Sequence, residues 1–306
     1  MALGYSPPTY APWMTERIAL DLPDGRVLDV RVSGPTDGPL FIWHHGTPGC
    51  GHQGPRQQRV LHERGVRFAS YSRAGAAGST RNPGRAVADV AADMAAIADH
   101  LGAERFLTGG QSGGGPHALA TGALLPDRVL AVLAVCSVKP YVGQPDFLDG
   151  MGADNVEEFG LAVEGEAPLL AYLERQRPEL LDTGVDDVIR ALDTLLPDVD
   201  RAVLTGEVGS ELLESLQGGV QELYGWLDDD LAFTKDWGFA VDEIAVPTYV
   251  WQGDADLMVP FHHGEWLAAR IPGAVAHLEP GEGHLSIQVN NFGDMVDEVL
   301  AHVPRR

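Results

Sequence analysis

The stretch Phe106-Leu107-Thr108-Gly109-Gly110-Gln111-Ser112-Gly113-Gly114-Gly115-Pro116-His117-Ala118-Leu119-Ala120 decides the fold. An apolar run suited to a buried strand breaks at Gly110-Gln111-Ser112-Gly113-Gly114 and resumes as an alanine- and leucine-rich helical pattern. A serine therefore stands on a sharp strand-to-helix turn, the arrangement of a nucleophile elbow. Lifting its hydroxyl clear of a sheet forces Ser112 into a strained backbone conformation, and side chains two residues to either side would collide. Those positions are Gly110 and Gly114.

Upstream, Ile18-Ala19-Leu20-Asp21-Leu22, the turn Pro23-Asp24-Gly25 and Val27-Leu28-Asp29-Val30-Arg31-Val32 alternate as a hairpin does. Residues 1 to 16, rich in proline and tyrosine without period, read as a surface arm. Pro39-Leu40-Phe41-Ile42-Trp43-His44 is a continuous apolar strand fit for burial on both faces, and it runs into the turn His45-Gly46-Thr47-Pro48-Gly49. Val66 to Tyr71 gives the next strand, followed by Ser72-Arg73-Ala74-Gly75. A helix is predicted from about Arg85 to Leu101, with Val87, Val90, Met94, Ile97 and Leu101 at helical spacing and Asp89 and Asp93 on a solvated face.

Downstream of the elbow helix, Val129 to Cys136 reads as a sixth strand, buried throughout. From about Val138 to Ala240 the chain turns helical and acidic, with 23 Asp plus Glu against 6 Lys plus Arg. Its aromatics, Phe147, Phe159, Tyr224, Trp226, Phe233 and Trp237, read chiefly as core. Strand pattern returns over Ile244 to Trp251, before the turn Gln252-Gly253-Asp254-Ala255-Asp256-Leu257-Met258-Val259-Pro260. A helix over about His262 to Ile271, the short strand Val275-Ala276-His277-Leu278 and the loop Gly281-Glu282-Gly283-His284-Leu285 follow. A C-terminal helix is predicted to carry His302.

The turn at His45 to Gly49, together with the elbow, resembles the α/β-hydrolase superfamily, whose third strand commonly ends in a His-Gly-x-Pro-Gly turn. The resemblance covers the chain from about Arg17 onward. It implies an α/β fold with a mostly parallel central sheet flanked by helices and a helical lid inserted after the sixth strand. Residues 1–137 and 241–306 would form the core and 138–240 the lid. It further implies an oxyanion hole made by the backbone N–H groups of Thr47 and Gly113. The family's Gly-x-x-Asp-x-x-Val-Pro pattern, laid on Gly253 to Pro260, gives Asp256 as the triad acid and leaves Asp254 as a turn former. Because the partners in this fold run serine, acid, histidine, the base must come from His262, His263, His277, His284 and His302, and the family's Gly-x-Gly-His loop selects His284. Where members often carry an Asp-Arg-Pro-Gly type sequence after the fourth strand, this chain has Ser72 and Ala74 in place of the Asp and Pro.

Ser112, Asp256 and His284 in these roles imply two-step acyl transfer on an ester, thioester or lactone of a small to medium-sized molecule. A serine nucleophile argues against epoxide and haloalkane hydrolysis, which use an aspartate in this fold. The runner-up is an aminopeptidase of the proline iminopeptidase type, since the acidic lid suits an ammonium group; those enzymes usually carry Trp after the nucleophile, where this chain has Gly113. A ligand-binding member without turnover is a third reading.

The composition bounds the partners. With 306 residues, 44% hydrophobic and 21% charged, the chain falls in the soluble globular class. A net charge of −23 argues against nucleic acid or an anionic membrane surface, both of which call for a basic patch. Cys50 and Cys136 make no disulfide framework and no metal-ligand spacing, so no metal and no cofactor are expected. The expected partner is a small-molecule substrate, and a homodimer stays open. The first twenty residues lack a basic segment followed by an apolar run, so a cytoplasmic protein is expected.

Overall fold

The computed structural model describes residues 14–181 and 183–304. Most of the N-terminal arm expected from the sequence, residues 1–13, lies outside the described residues. Among the described residues, eight strands form one sheet in the order β1-β2-β4-β3-β5-β6-β7-β8. They are β1 Glu16–Asp21, β2 Val27–Ser33, β3 Leu40–His44, β4 Arg67–Tyr71, β5 Phe106–Gln111, β6 Val129–Val135, β7 Thr248–Gly253 and β8 Val275–Glu279. The hairpin of β1 and β2 is antiparallel, and β2 runs antiparallel to β4. From β4 to β8 every pairing is parallel.

Helices cover both faces, because the central strands are buried on both sides and mostly apolar. Alternate residues of one strand serve opposite layers. On β3, Ile42 packs with α2 (Val90–His100), α3 (Gly114–Leu124) and α10 (Phe261–Arg270), while Phe41 and Trp43 pack with α1 (Pro55–Glu63) and α11 (Ser286–Leu300). On β6, Val132 and Ala134 join the first layer and Leu133 and Val135 the second.

Between β6 and β7 the chain forms α4 (Ala153–Glu164), α5 (Glu166–Leu181), α6 (Val185–Ala191), α7 (Asp198–Val203), α8 (Gly206–Gly219) and α9 (Tyr224–Phe233). Leu169, Tyr172, Leu173, Val220, Trp226 and Leu227 give this helical segment a small core of its own. Of the aromatics there, Phe147, Phe159, Trp226, Phe233 and Trp237 are buried, whereas Tyr224 is exposed beneath the Arg81 guanidinium. Among the described residues no helix is long and apolar enough to cross a membrane.

Three sequence expectations need correction. Asp93 is not solvated: it is buried against Arg26, which reaches across from the hairpin with Nη2 2.7 Å from Oδ1. Asp89, on the same predicted face, is exposed and accepts the Ala86 N–H at 2.8 Å. The seventh strand starts at Thr248 rather than Ile244, because Pro247 has no N–H to give a ladder and the residues before it form a 3-10 turn, Val241–Glu243. His302 lies beyond α11, in the turn that follows, where Nε2 meets the Tyr249 hydroxyl at 2.8 Å.

Candidate active site

Parallel order sets the location of the site. The loops after β3, β5, β6, β7 and β8 all leave the same edge of the sheet, where the strands' carboxyl ends open a crevice. Thr47, Ser112, Cys136, Asp256 and His284 sit on those five loops.

Ser112 has φ +56°, a left-handed conformation that a residue with a Cβ adopts at a cost of roughly 1–3 kcal/mol. Its amide is held by the Val135 carbonyl at 2.9 Å, which ties the strained residue to the neighbouring strand. The flanking glycines are sterically required: a Cβ on Gly110 would come within 2.3 Å of the Gly114 carbonyl oxygen, and one on Gly114 within 2.2 Å of the His44 oxygen. Among the described residues the Ser112 side chain makes no hydrogen bond.

Asp256 and His284 are brought together. Nδ1 of His284 donates to Oδ2 of Asp256 at 2.8 Å, with both side chains buried. The carboxylate is itself fixed: Oδ1 accepts the N–H groups of Met258 and Val259, each at 2.8 Å, and Oδ2 accepts Gln252 Nε2 at 3.1 Å. With its hydrogen on Nδ1, the imidazole keeps Nε2 as its basic nitrogen. Burial pulls the His284 pKa down, but the Asp256 charge and hydrogen bond, then the charge of Asp200, leave it raised above the ordinary value. The other four candidate histidines are placed elsewhere: His262 and His263 open α10, His277 stacks on Trp251, and His302 pairs with Tyr249. Asp254 accepts the Gly281 N–H at 2.7 Å, as a turn former does.

Cys136, Asp256 and His284 offer donor atoms within 4.8 Å of one another. The acid and the imidazole are already bonded to each other, and burial pushes the thiol well up, so the trio reads as a hydrogen-bonded set and not as a metal centre.

Thr47 and Gly113 adjoin: a Cβ on Gly113 would lie 2.2 Å from Thr47 Oγ1 and 3.1 Å from Phe233 Cζ. Among the described residues neither backbone N–H has a protein acceptor, so both are free for an incoming oxygen. The turn bearing Thr47 is braced by residues that sequence reading passed over. Arg73 donates to the carbonyls of His45 and Gly46 and, from Nη2, to Thr47 Oγ1 at 2.9 Å. His45 Nε2 accepts the Arg73 N–H at 3.0 Å, so its hydrogen sits on Nδ1, which donates to the Gly46 carbonyl at 2.7 Å.

Arg73 is balanced by Asp229 of α9, which also takes Arg85 Nη2 and the Thr47 hydroxyl, both at 2.6 Å. Burial would push the Asp229 carboxyl up, yet Arg73 and Arg85 hold it far below the usual range. Its neighbour Asp230 goes the other way, pushed up by burial and by Glu158. The signal for this cluster was in the sequence: Asp228-Asp229-Asp230 interrupts a helix whose flanks, Trp226, Leu227, Leu231 and Phe233, leave little of it facing water.

A cavity of about 500 Å³ opens over Ser112, bounded by Thr47 and His284 below and by α4, α5 and α8 above. Its lining mixes apolar side chains such as Leu195, Leu212 and Trp226 with the carboxylates of Asp154, Glu158 and Glu179. The volume suits a small to medium-sized molecule.

The sequence profile described as alpha/beta hydrolase fold matches residues 39–176, a span that holds the His45 turn and the elbow. No protein of curated function matches the chain by sequence. Among solved structures, bromoperoxidase from Bacillus anthracis superposes with a TM-score of 0.68 at 20% identity, covering 94% of this chain and 100% of that one. Carboxylesterase CesB from Bacillus subtilis gives 0.64 at 17% identity, covering 95% and 92%. A thermophilic esterase from Thermogutta terrifontis gives 0.61 at 19% identity, covering 94% and 98%. At such identities the likeness is one of fold. Sheet order, profile match and structural neighbours agree on one architecture, and the chain has the α/β-hydrolase fold.

Proposed function

We propose that the protein is a serine hydrolase that cleaves an ester, thioester or lactone of a small to medium-sized molecule through an acyl-enzyme on Ser112. The observation that carries this reading is the pairing of His284 Nδ1 with the buried Asp256 carboxylate on the rim of the cavity that also exposes Ser112. In the first step Ser112 Oγ attacks the carbonyl carbon while His284 Nε2 takes its proton, and the free N–H groups of Thr47 and Gly113 receive the oxyanion. The tetrahedral intermediate collapses, His284 gives the proton to the departing alkoxide or thiolate, and water, deprotonated by the same nitrogen, releases the acid. Residues 138–240 serve as the lid whose helices shape the acyl or leaving-group pocket.

The base must be neutral to act. With its pKa raised, we expect kcat/KM to rise with pH through a limb lying above about 6.5, the ordinary histidine value, and to be largely lost by pH 5. A profile flat from pH 8 to pH 5 contradicts His284 as base.

The neighbours' printed names include esterases, a bromoperoxidase and epoxide hydrolases, so the names alone do not choose the chemistry. The aminopeptidase reading gains from the cavity's carboxylates and loses from Gly113, where no side chain fits beside Thr47. Initial rates on p-nitrophenyl esters of increasing chain length, run beside aminoacyl-p-nitroanilides, separate the two. We expect turnover of the esters with an optimum at short to medium chains; a preference for the anilides would promote the aminopeptidase, and no turnover of either would favour a binding protein.

A further inference from the structure

Asp200, on the short helix α7, lies far from Asp256 in sequence and has no place in the reaction as written. It is fully buried, and both its oxygens are spent on one object, the loop that carries His284. Oδ2 accepts the His284 N–H at 2.8 Å, and Oδ1 accepts the N–H groups of Leu285 at 2.9 Å and Ser286 at 2.8 Å. Ser286 opens α11 and Leu285 is its N-cap, so the Ser286 N–H is a first-turn donor that needs an acceptor from outside the helix, and the other two belong to the loop leading into it. A serine, threonine or aspartate at the N-cap would normally supply one, but the N-cap here is Leu285, and Ser286 turns its hydroxyl to the Gly283 N–H at 2.8 Å. The acceptor thus arrives from the helical segment between β6 and β7. The approach is close enough to dictate Gly283, since a Cβ there would stand 2.5 Å from Asp200 Oδ1.

Among the described residues, the titratable groups facing His284 are Asp256 from the loop after β7, Asp200 from α7, and the Cys136 thiol at the end of β6, whose sulfur is 3.7 Å from the His284 carbonyl. Burial pushes the Asp200 carboxyl up, and its three backbone N–H donors and His284 pull it back toward the charged form.

We propose that Asp200 is a positioning residue for His284: it pins the backbone of the histidine loop and sets a second negative charge beside the imidazole, so that the base is fully formed only while α7 rests on that loop. The proposal rests on the reading of His284 as general base. It makes the helical segment a supplier of the catalytic geometry, in addition to a wall of the cavity.

The test compares Asp200→Asn with Asp198→Asn, which removes the same charge from an exposed position on the same helix. In Asp200→Asn the amide oxygen can still accept from Leu285 and Ser286, but an NH₂ group then opposes the His284 N–H. His284 is followed by long-range ¹H–¹⁵N spectra of ¹⁵N-histidine-labelled protein, assigned with His284→Gln. In Asp200→Asn we expect His284 to titrate at lower pH and kcat on the preferred p-nitrophenyl ester to fall roughly ten- to hundredfold with KM within about twofold. Asp198→Asn should change neither. His284 titrating at the wild-type pH in a folded Asp200→Asn protein, with kcat within about twofold, overturns the proposal. If Asp200→Asn does not fold, amide exchange in the wild-type protein decides. The N–H groups of residues 284–286 should exchange as slowly as those of the sheet, and exchange at loop rates would overturn the idea. Titration and exchange need no substrate, so an inert wild-type enzyme would defeat the esterase reading without deciding this one.

Discussion

Replacing Ser112 by alanine is expected to lower ester turnover by roughly 10⁵- to 10⁶-fold, the scale seen when a triad serine is removed, with the fold intact. The variant keeps a Cβ at φ +56°, so the strain at the elbow is unchanged, and among the described residues the lost hydroxyl had no hydrogen bond to forfeit. Far-UV circular dichroism and a thermal melt should match the wild type. Loss of activity together with loss of fold would mean that the serine acts structurally, and retained activity would mean that another group attacks the carbonyl.

Asp229→Ala is expected to have the largest effect on stability. It removes the only carboxylate that the structure pairs with both Arg73 and Arg85, among the described residues, and leaves two guanidinium groups buried without a counter-charge. Breaking a buried ion cluster from one side costs about 3–5 kcal/mol, which for a chain of this size lowers Tm by roughly 10 °C. Asp228→Ala makes the control one residue away. Its partner Arg81 is partly solvated, so the cost should be nearer 1–2 kcal/mol. Activity should follow stability for a geometric reason, since Arg73 would no longer brace the turn that presents the Thr47 N–H. The sign with pH is fixed by the depressed carboxyl: the Asp229 contribution is fully present above about pH 4, the ordinary unfolded value, and is lost as pH falls toward its lower folded pKa. Urea unfolding of both variants at pH 7 checks the ranking, and equal losses would remove Asp229 from its central position.

Local sterics made the elbow legible in the sequence. Gly110, Ser112 and Gly114 lie within five residues, and a positive φ on a serine demands small neighbours whatever surrounds it. The sheet was legible for a related reason, since strands buried on both faces are mostly apolar. Asp229 shows in sequence only as an acid among apolar neighbours, and neither its partner nor that of Asp200 was legible, because those partners lie 156 and 84 residues away. Asp93 shows the same limit: helical period put it on the polar face, and Arg26 then covered that face. In the acidic segment 138–240, Asp200, Asp228, Asp229 and Asp230 are all buried. Charge count alone does not say which acids are paired.

The most direct measurement of the central claim is covalent labelling by a fluorophosphonate, read as intact mass and as the modified peptide. An activated Ser112 should yield one adduct per chain on the peptide containing it, no adduct in Ser112→Ala and a rate at least a hundredfold lower, in round terms, when His284 is changed to Gln. No labelling of the wild-type protein, or labelling of Ser112 at an undiminished rate in His284→Gln, would contradict a serine nucleophile activated by that histidine.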